Sequence, residues 1–290
     1  MTTVVEPVEA AATAVRAQAL GKRYKDKWAL RDCTFELPAG RVAALVGANG
    51  AGKTTLMTVL AGLLRPDEGA AGVAGRVAFV SQEKPVYRHF TVAEMLRMGA
   101  RLNTVWDQDR AGRWLERFEI PLDRPCGRLS GGQQAQVAFA VAIGSRPDVL
   151  MLDEPLANLD PLARREVTAE LLGEVAETGM TVLLSTHVVA ELGGVADHLL
   201  LLAHGRLLAG GDLDELLARH VVYTGPRSDV PPALGKVVEA RHRGGQSTFL
   251  VELPEGRPRP VVAGQWAERP VTLEDYVLAQ LAATRKGLKG

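Results

Sequence analysis

"RVAALVGANGAGKT", residues 41–54, decides the fold. Residues 41–46 are a short apolar run of buried-strand type, and a helical pattern follows from Lys53 to about Leu63. Between them GANGAGKT (47–54) fits G-x-x-x-x-G-K-[ST] in the strand-to-helix context that this motif needs. Gly47, Gly50 and Gly52 let the backbone curl so that its amides surround phosphate oxygens at the positive end of a helix. Lys53 reaches the outer phosphates as a compact charge, and the Thr54 hydroxyl can bind Mg2+. Asn49 and Thr55 complete the nucleotide-facing set. The chain has 8 Lys against 26 Arg, so a lysine here is informative. The loop predicts a nucleoside triphosphate site.

Outward from this loop, Cys33, Phe35 and Leu37 alternate with Thr34 and Glu36 as in a half-buried strand. RVAFVSQ (76–82), DVLMLDEP (148–155), MTVLLSTH (180–187) and HLLLLAHG (198–205) are further strand candidates, with His204-Gly205 as a tight turn. Asp160 as N-cap and Pro161 at the first helical position open a helix between two of them. Strands alternating with helices, with polar residues at the strand C-termini, predict an α/β fold with a mostly parallel sheet and its ligand at those ends. Residues 90–144 have helical spacing, with Trp114 and Phe118 four apart, and form an insertion into that pattern.

Beyond residue 220 the texture changes. KVVEARHRGGQSTFLVEL (236–253) resembles a hairpin around Gly244-Gly245, and PEGRPRP (254–260) is a proline-rich connector. TLEDYVLAQLAATR (272–285) begins with a Thr-x-x-Asp capping pattern and puts Leu273, Val277, Leu278 and Leu281 on one face. The expected division is a tail at 1–13, a nucleotide-binding domain at 14–220 with a helical subdomain at about 86–144, and a small α+β appendage at 221–290.

The 290 residues are 47% hydrophobic and 23% charged, a globular composition with ample core material. Formal net charge is zero, so no global basic field draws the chain to nucleic acid. Cys33 and Cys126 have no zinc or disulfide spacing and are expected to be buried free thiols in a reduced compartment. No apolar run approaches the roughly 18 residues that span a bilayer. Glu6, Glu9 and the lack of a basic start make the first dozen residues a poor signal peptide. The expectation is a cytoplasmic protein.

Five further positions carry chemistry. Asp153 ends a buried strand, where it can hold Mg2+ directly or through water. Glu154 points to the opposite side and can position and activate water. Gln82, at the end of the strand after the loop helix, can touch Mg2+ or that water. His187 ends LLSTH and can bond a γ-phosphate oxygen, while Tyr24, upstream of the loop, can stack on adenine. RPCGRLSGGQQAQVAFAVAI (124–143) then presents a second helix start suited to an anion, although the chain already has a better phosphate loop.

This ordered set resembles the ATP-binding cassette (ABC) family of ATPases over about residues 14–211. The resemblance rests on Tyr24, the loop 47–54, Gln82, LSGGQ (129–133), LMLDEP (150–155), NLD (158–160) and His187. It implies a P-loop NTPase fold: a RecA-like core with a mostly parallel sheet, an antiparallel β subdomain and an inserted helical subdomain. It also implies ATP and Mg2+ as cofactors, with Glu154, His187 and Lys53 in the catalytic roles and Thr54, Gln82 and Asp153 toward the metal. Two cassettes of the family dock head to tail, so Ser130, Gly131, Gly132 and Gln133 are expected to face the ATP held by a second cassette, with Asp160 at the same interface. The second helix start therefore belongs to the partner's nucleotide. Many members carry basic residues just after LSGGQ, where this chain has Gln134 and Gln136, which puts the hydrolysis rate in question.

The expected partners are a second cassette, identical or paralogous, and separate transmembrane permease subunits. The chain would sit at the inner face of the cell membrane, with Tyr87 and Phe90 on the surface that meets the permease. The short appendage resembles the C-terminus of the drug, antibiotic and lipid export branch. The alternative is a soluble mechanical or regulatory ATPase. No long heptad array, second cassette or basic arm supports that class.

Overall fold

The computed structural model describes residues 13–83, 86–157, 159–192, 194–254 and 264–287. The expected tail apart from Thr13, Asn158 of the NLD turn, and 255–260 of the connector lie outside the described residues.

The chain opens with two long strands, β1 (Thr13–Tyr24) and β2 (Lys27–Pro38), followed by β3 (Val42–Val46) and helix α1 (Lys53–Leu60). β4 (Glu68–Val73) and β5 (Val77–Val80) precede three helices: α2 (Val92–Leu102), α3 (Gln108–Arg117) and α4 (Gly131–Gly144). β6 (Val149–Asp153), α5 (Pro161–Thr178), β7 (Thr181–Thr186), β8 (His198–Ala203) and β9 (Arg206–Asp212) follow. After α6 (Leu213–Ala218), strands β10 (His220–Pro226), β11 (Lys236–Arg243), β12 (Gln246–Glu252) and β13 (Ala267–Pro270) lead to α7 (Leu273–Gly287).

The central six-stranded sheet has the order β5-β6-β7-β3-β8-β9. Its strands are parallel except β9, which returns antiparallel to β8 through His204 and Gly205 (φ 50° and 73°). Two positive φ values match the right-handed twist of a two-residue hairpin. The inner parallel strands β3, β6, β7 and β8 are buried on both faces, as parallel sheets require. Ala44, Leu152, Leu184 and Leu201 pack on the side of the inserted helices; Leu45, Met151, Leu183 and Leu200 pack against α1 and the second sheet. That second sheet, β2-β1-β4, is the antiparallel subdomain.

The inserted helices are capped as their sequences direct. Thr91 and Glu94 form a capping box on α2, and the Asp107 carboxylate accepts the Arg110 amide at the start of α3. Trp114 is buried between Phe118 and Phe139 at ring separations of 5.3 and 5.9 Å. Cys33 and Cys126 are buried free thiols, and burial raises both pKa values.

Three expectations need correction. Helix α1 ends at Leu60 rather than near Leu63, because Gly62 takes a left-handed φ of 73° and stops the chain from continuing. Gln82 is not on a strand: β5 ends at Val80, and Gln82 sits in the following turn. On α7 the buried residues are Tyr276, Val277 and Ala279, while Leu278 is exposed. Leu278 follows Val277 by 100° of helical rotation and so faces away.

The hairpin around Gly244-Gly245 forms as β11 and β12, within a four-stranded antiparallel sheet ordered β11-β12-β10-β13. This sheet does not stand alone. Val222, Leu250, Tyr276 and Val277 share one core with Leu192 and Leu199 of the nucleotide-binding part, while Val221, Tyr223, Phe249 and Val251 form a small core of their own.

Candidate active site

The loop between β3 and α1 is shaped by close approach. A Cβ on Gly47 would lie 2.4 Å from the Leu202 carbonyl oxygen, and the Gly47 amide donates to Thr186 O at 3.3 Å. Gly52 adopts φ 110°, which disfavours any residue with a side chain. The loop lies against the C-terminal ends of β3, β7 and β8, at the edge of a cleft of about 330 Å³. Asn49, Gly50, Gly52, Lys53, Thr54, Thr55, Gln82 and Glu154 line it, together with Ala29 of β2.

The Lys53 ammonium is buried and donates to Gly47 O at 2.9 Å, with Glu154 Oε1 3.3 Å away. The Thr54 hydroxyl donates to Asp153 Oδ2 at 2.7 Å. Glu154 is the meeting point of the site. Oε1 lies 3.1 Å from His187 Nδ1, and Oε2 accepts from Gln82 Nε2 at 3.4 Å. Residues from the loop, the turn after β5 and the end of β7 thus converge on one carboxylate at the end of β6.

The second helix start is built as its sequence suggests. Ser130 Oγ accepts the Gln133 amide at 3.2 Å, and Gln133 Oε1 accepts the Ser130 amide at 3.1 Å, a complete capping box on α4. Ser130 and Gly131 are exposed, and Gly132 lies beside Leu159. Asp160 caps α5 by accepting the amides of Leu162 and Ala163 at 3.0 Å each. None of residues 130–133 lines the loop's cleft. Gln134 and Gln136 do not line it either. Gln134 Nε2 donates to the carbonyls of Cys126 and Leu129 at 3.1 and 3.2 Å, and buried Gln136 accepts from Trp114 Nε1 at 3.0 Å.

Tyr24 is half-exposed at the tip of β1, with the Lys22 ammonium 5.9 Å from its ring centre, and it does not line the cleft. Sequence reading missed Ala29, whose only mark is its place on the strand after Tyr24, and Ser185, which looked like ordinary strand filling. The donor set of Thr54 hydroxyl, Asp153 carboxylate and Gln82 amide oxygen is all hard oxygen and suits Mg2+.

A Gly-rich loop, a lysine, a hydroxyl and paired carboxylates at the C-terminal end of a parallel sheet define a P-loop nucleoside triphosphatase. The chain matches the ABC transporter family over residues 30–157. It is 30% identical over 292 residues to the Nod factor export ATP-binding protein I of Sinorhizobium fredii, covering 91% of this chain and 85% of that protein. It is 37% identical over 211 residues to the molybdenum import ATP-binding protein ModC of Aromatoleum aromaticum, covering 65% of this chain and 55% of that protein. Among solved structures, the ATP-binding subunit of an ABC transporter superposes with a TM-score of 0.66 at 28% identity, over 71% of this chain and 92% of that one. The chain belongs to the ABC transporter family as an ATP-binding subunit, and it is an ATPase with the cassette fold. Relatives named for import and for export both match, so membership alone sets no direction.

Proposed function

We propose that this chain powers export through a separate transmembrane permease, working as a head-to-tail dimer of cassettes around two ATP molecules. The observation that carries the catalytic part is the convergence of Lys53, Gln82 and His187 on Glu154. In this reading the loop amides and Lys53 hold the β- and γ-phosphates. Glu154 orients the attacking water and accepts its proton, and His187 fixes the Glu154 carboxylate and the γ-phosphate. Thr54, Asp153 and Gln82 would hold Mg2+, which when bound neutralises charge building on the phosphates.

The signature helix start is exposed at Ser130 and Gly131, and none of residues 130–133 lines its own chain's cleft, which supports its serving the nucleotide of a second cassette, identical or paralogous. Tyr87 is 59% exposed and its ring lies 5.2 Å from that of Phe90, so an aromatic pair stands on the surface of the helical insertion. Such a pair suits docking of a permease helix. Export is supported by coverage: the export-named relative aligns over 91% of this chain, which must reach into the appendage, whereas two import-named relatives align over 74% and 65%. Among the described residues no helix is long and apolar enough to cross a membrane. A permease on another polypeptide, with this chain peripheral on the cytoplasmic side, is supported by the relatives named as ATP-binding proteins of export and import systems.

The test is co-purification of the tagged Glu154→Gln variant from its native cell, with membranes extracted in mild detergent and ATP. A polytopic membrane protein in stoichiometric amount is the expected result. Recovery of soluble partners alone would overturn the transporter reading and favour a mechanical ATPase.

A further inference from the structure

Ser185 is fully buried in β7, directly across from Asp153 in the parallel register with β6. Its Oγ donates to Asp153 Oδ1 at 2.5 Å and accepts the backbone N–H of Glu154 at 2.9 Å. The other Asp153 oxygen takes the Thr54 hydroxyl. One buried hydroxyl therefore ties together the two consecutive carboxylate residues of the site. Glu154 has φ 49°, a left-handed conformation that strains a residue with a long side chain. That twist sends its carboxylate to Lys53, Gln82 and His187 instead of continuing the strand.

We infer that Ser185 is a positioning residue for ATP hydrolysis. Its hydroxyl sets the rotation of the Asp153 carboxylate toward Thr54 and holds the backbone turn that aims Glu154. The inference rests on the proposed roles of Asp153 and Glu154. Among uncharged side chains of this size, a hydroxyl can both donate to a carboxylate and accept from an amide through one atom, whereas a thiol does each only weakly. An apolar residue would leave a buried carboxylate oxygen short of a donor and a peptide N–H without an acceptor. Asp153 would then be free to rotate away from Thr54.

The decisive comparison is Ser185→Val against Ser185→Thr, two side chains of one shape that differ in the hydroxyl. Each adds the same methyl group to the core, so packing costs are shared. Ser185→Ala removes the hydroxyl with no added volume and serves the same comparison if the extra methyl prevents folding. ATP affinity is measured with Mg2+ and with EDTA by displacement of a fluorescent ATP analogue, alongside kcat, KM and the melting temperature of the nucleotide-free protein.

Ser185→Val is expected to lose about tenfold of the Mg2+-dependent gain in ATP affinity, the worth of one hydrogen bond to a charged group. Its kcat falls with it, its affinity in EDTA stays at the wild-type value, and Ser185→Thr keeps both Mg2+ dependence and kcat. Equal behaviour of the Val and Thr variants in Mg2+ dependence and kcat would overturn the inference, even if both melt lower than wild type. Asp153→Asn and Glu154→Gln run beside them. Wild-type Mg2+ dependence and turnover in those two would show that the assigned site is wrong, and the Ser185 inference would fall with it.

Discussion

Arg110→Met tests how the inserted helices are fastened to the core. Arg110 on α3 and Glu174 on α5 are each 8% exposed, and Nε lies 2.7 Å from Oε2. Burial raises the Glu174 pKa, and Arg110 opposes that rise; Glu177 adds to it and Arg113 reduces it. Removing one member of a buried pair costs about 3–5 kcal/mol. Arg110 lies at the rim of a polar cleft of about 360 Å³ shared with Arg76, Arg113 and Arg146, where water screens the charge. The lower end applies, about 3 kcal/mol at neutral pH.

The pH dependence has a definite sign. Without Arg110 the folded-state pKa of Glu174 rises further above its unfolded value. The deficit is then full above the folded pKa and shrinks as pH falls toward the unfolded carboxylate value of about 4.3. Urea denaturation at about pH 5 and about pH 8 measures it. Arg110→Met with Glu174→Leu should recover stability to within about 1 kcal/mol of wild type, since the orphaned charge is gone. A deficit under about 1 kcal/mol at the higher pH, a deficit independent of pH, or a double variant weaker than the single would refute the reasoning.

Glu154→Gln should lower steady-state ATP turnover by at least about a hundredfold while ATP binding persists, because the amide cannot accept the water proton. Phosphate release and nucleotide binding, measured on the same preparation, separate the two effects. Gln134→Ala removes the two donations to the Cys126 and Leu129 carbonyls that brace the turn before the signature serine. Gel filtration in the Glu154→Gln background should show about fivefold weaker ATP-dependent dimerisation, near the worth of one neutral hydrogen bond, with ATP affinity of the monomer unchanged; unchanged dimerisation would count against the brace. Arg269 holds Asp275 by two bonds of 2.6 and 2.9 Å, and with the Thr272 amide and hydroxyl it pulls the Asp275 pKa well below the usual carboxylate range. Because that pKa is depressed, the bonds stabilise the fold above the unfolded aspartate value of about 3.9 and lose their effect as pH falls below it. Arg269→Ala should therefore cost about 1 kcal/mol at neutral pH, a half-exposed pair, and nothing in strong acid; thermal melts across pH check this.

Motifs that act through consecutive residues were legible in the chain itself. The phosphate loop, the Thr-x-x-Asp cap at Thr272 and the Asp160-Pro161 helix start depend on neighbours within a few positions, so their spacing carries their geometry; the capping boxes at Thr91 and Ser130 were seen only in the fold. The two-faced burial of β3, β6, β7 and β8 was readable for the same reason, as unbroken apolar runs. Leu278 was misassigned because a helix turns 100° per residue, and the apolar set of α7 let two adjacent residues compete for one face.

Gln134 and Gln136 show where sequence reading ends. As sequence they are substitutions in a usually basic stretch. In the fold they face inward, one bracing the turn before the signature and the other bonded to Trp114. Ser185 is the sharper case. Nothing in LLSTH separates it from strand filling, and it gains its partners only because parallel register sets β7 beside the end of β6. By itself the sequence determined that the chain carries the phosphate loop of an ATP-binding cassette and which local turns it forms, since those depend on the order of near neighbours. Tertiary structure decided which carboxylate the lysine, glutamine and histidine meet and which hydroxyl holds it. Those contacts join positions 31 to 101 residues apart, and only the packed sheet brings them within hydrogen-bond reach.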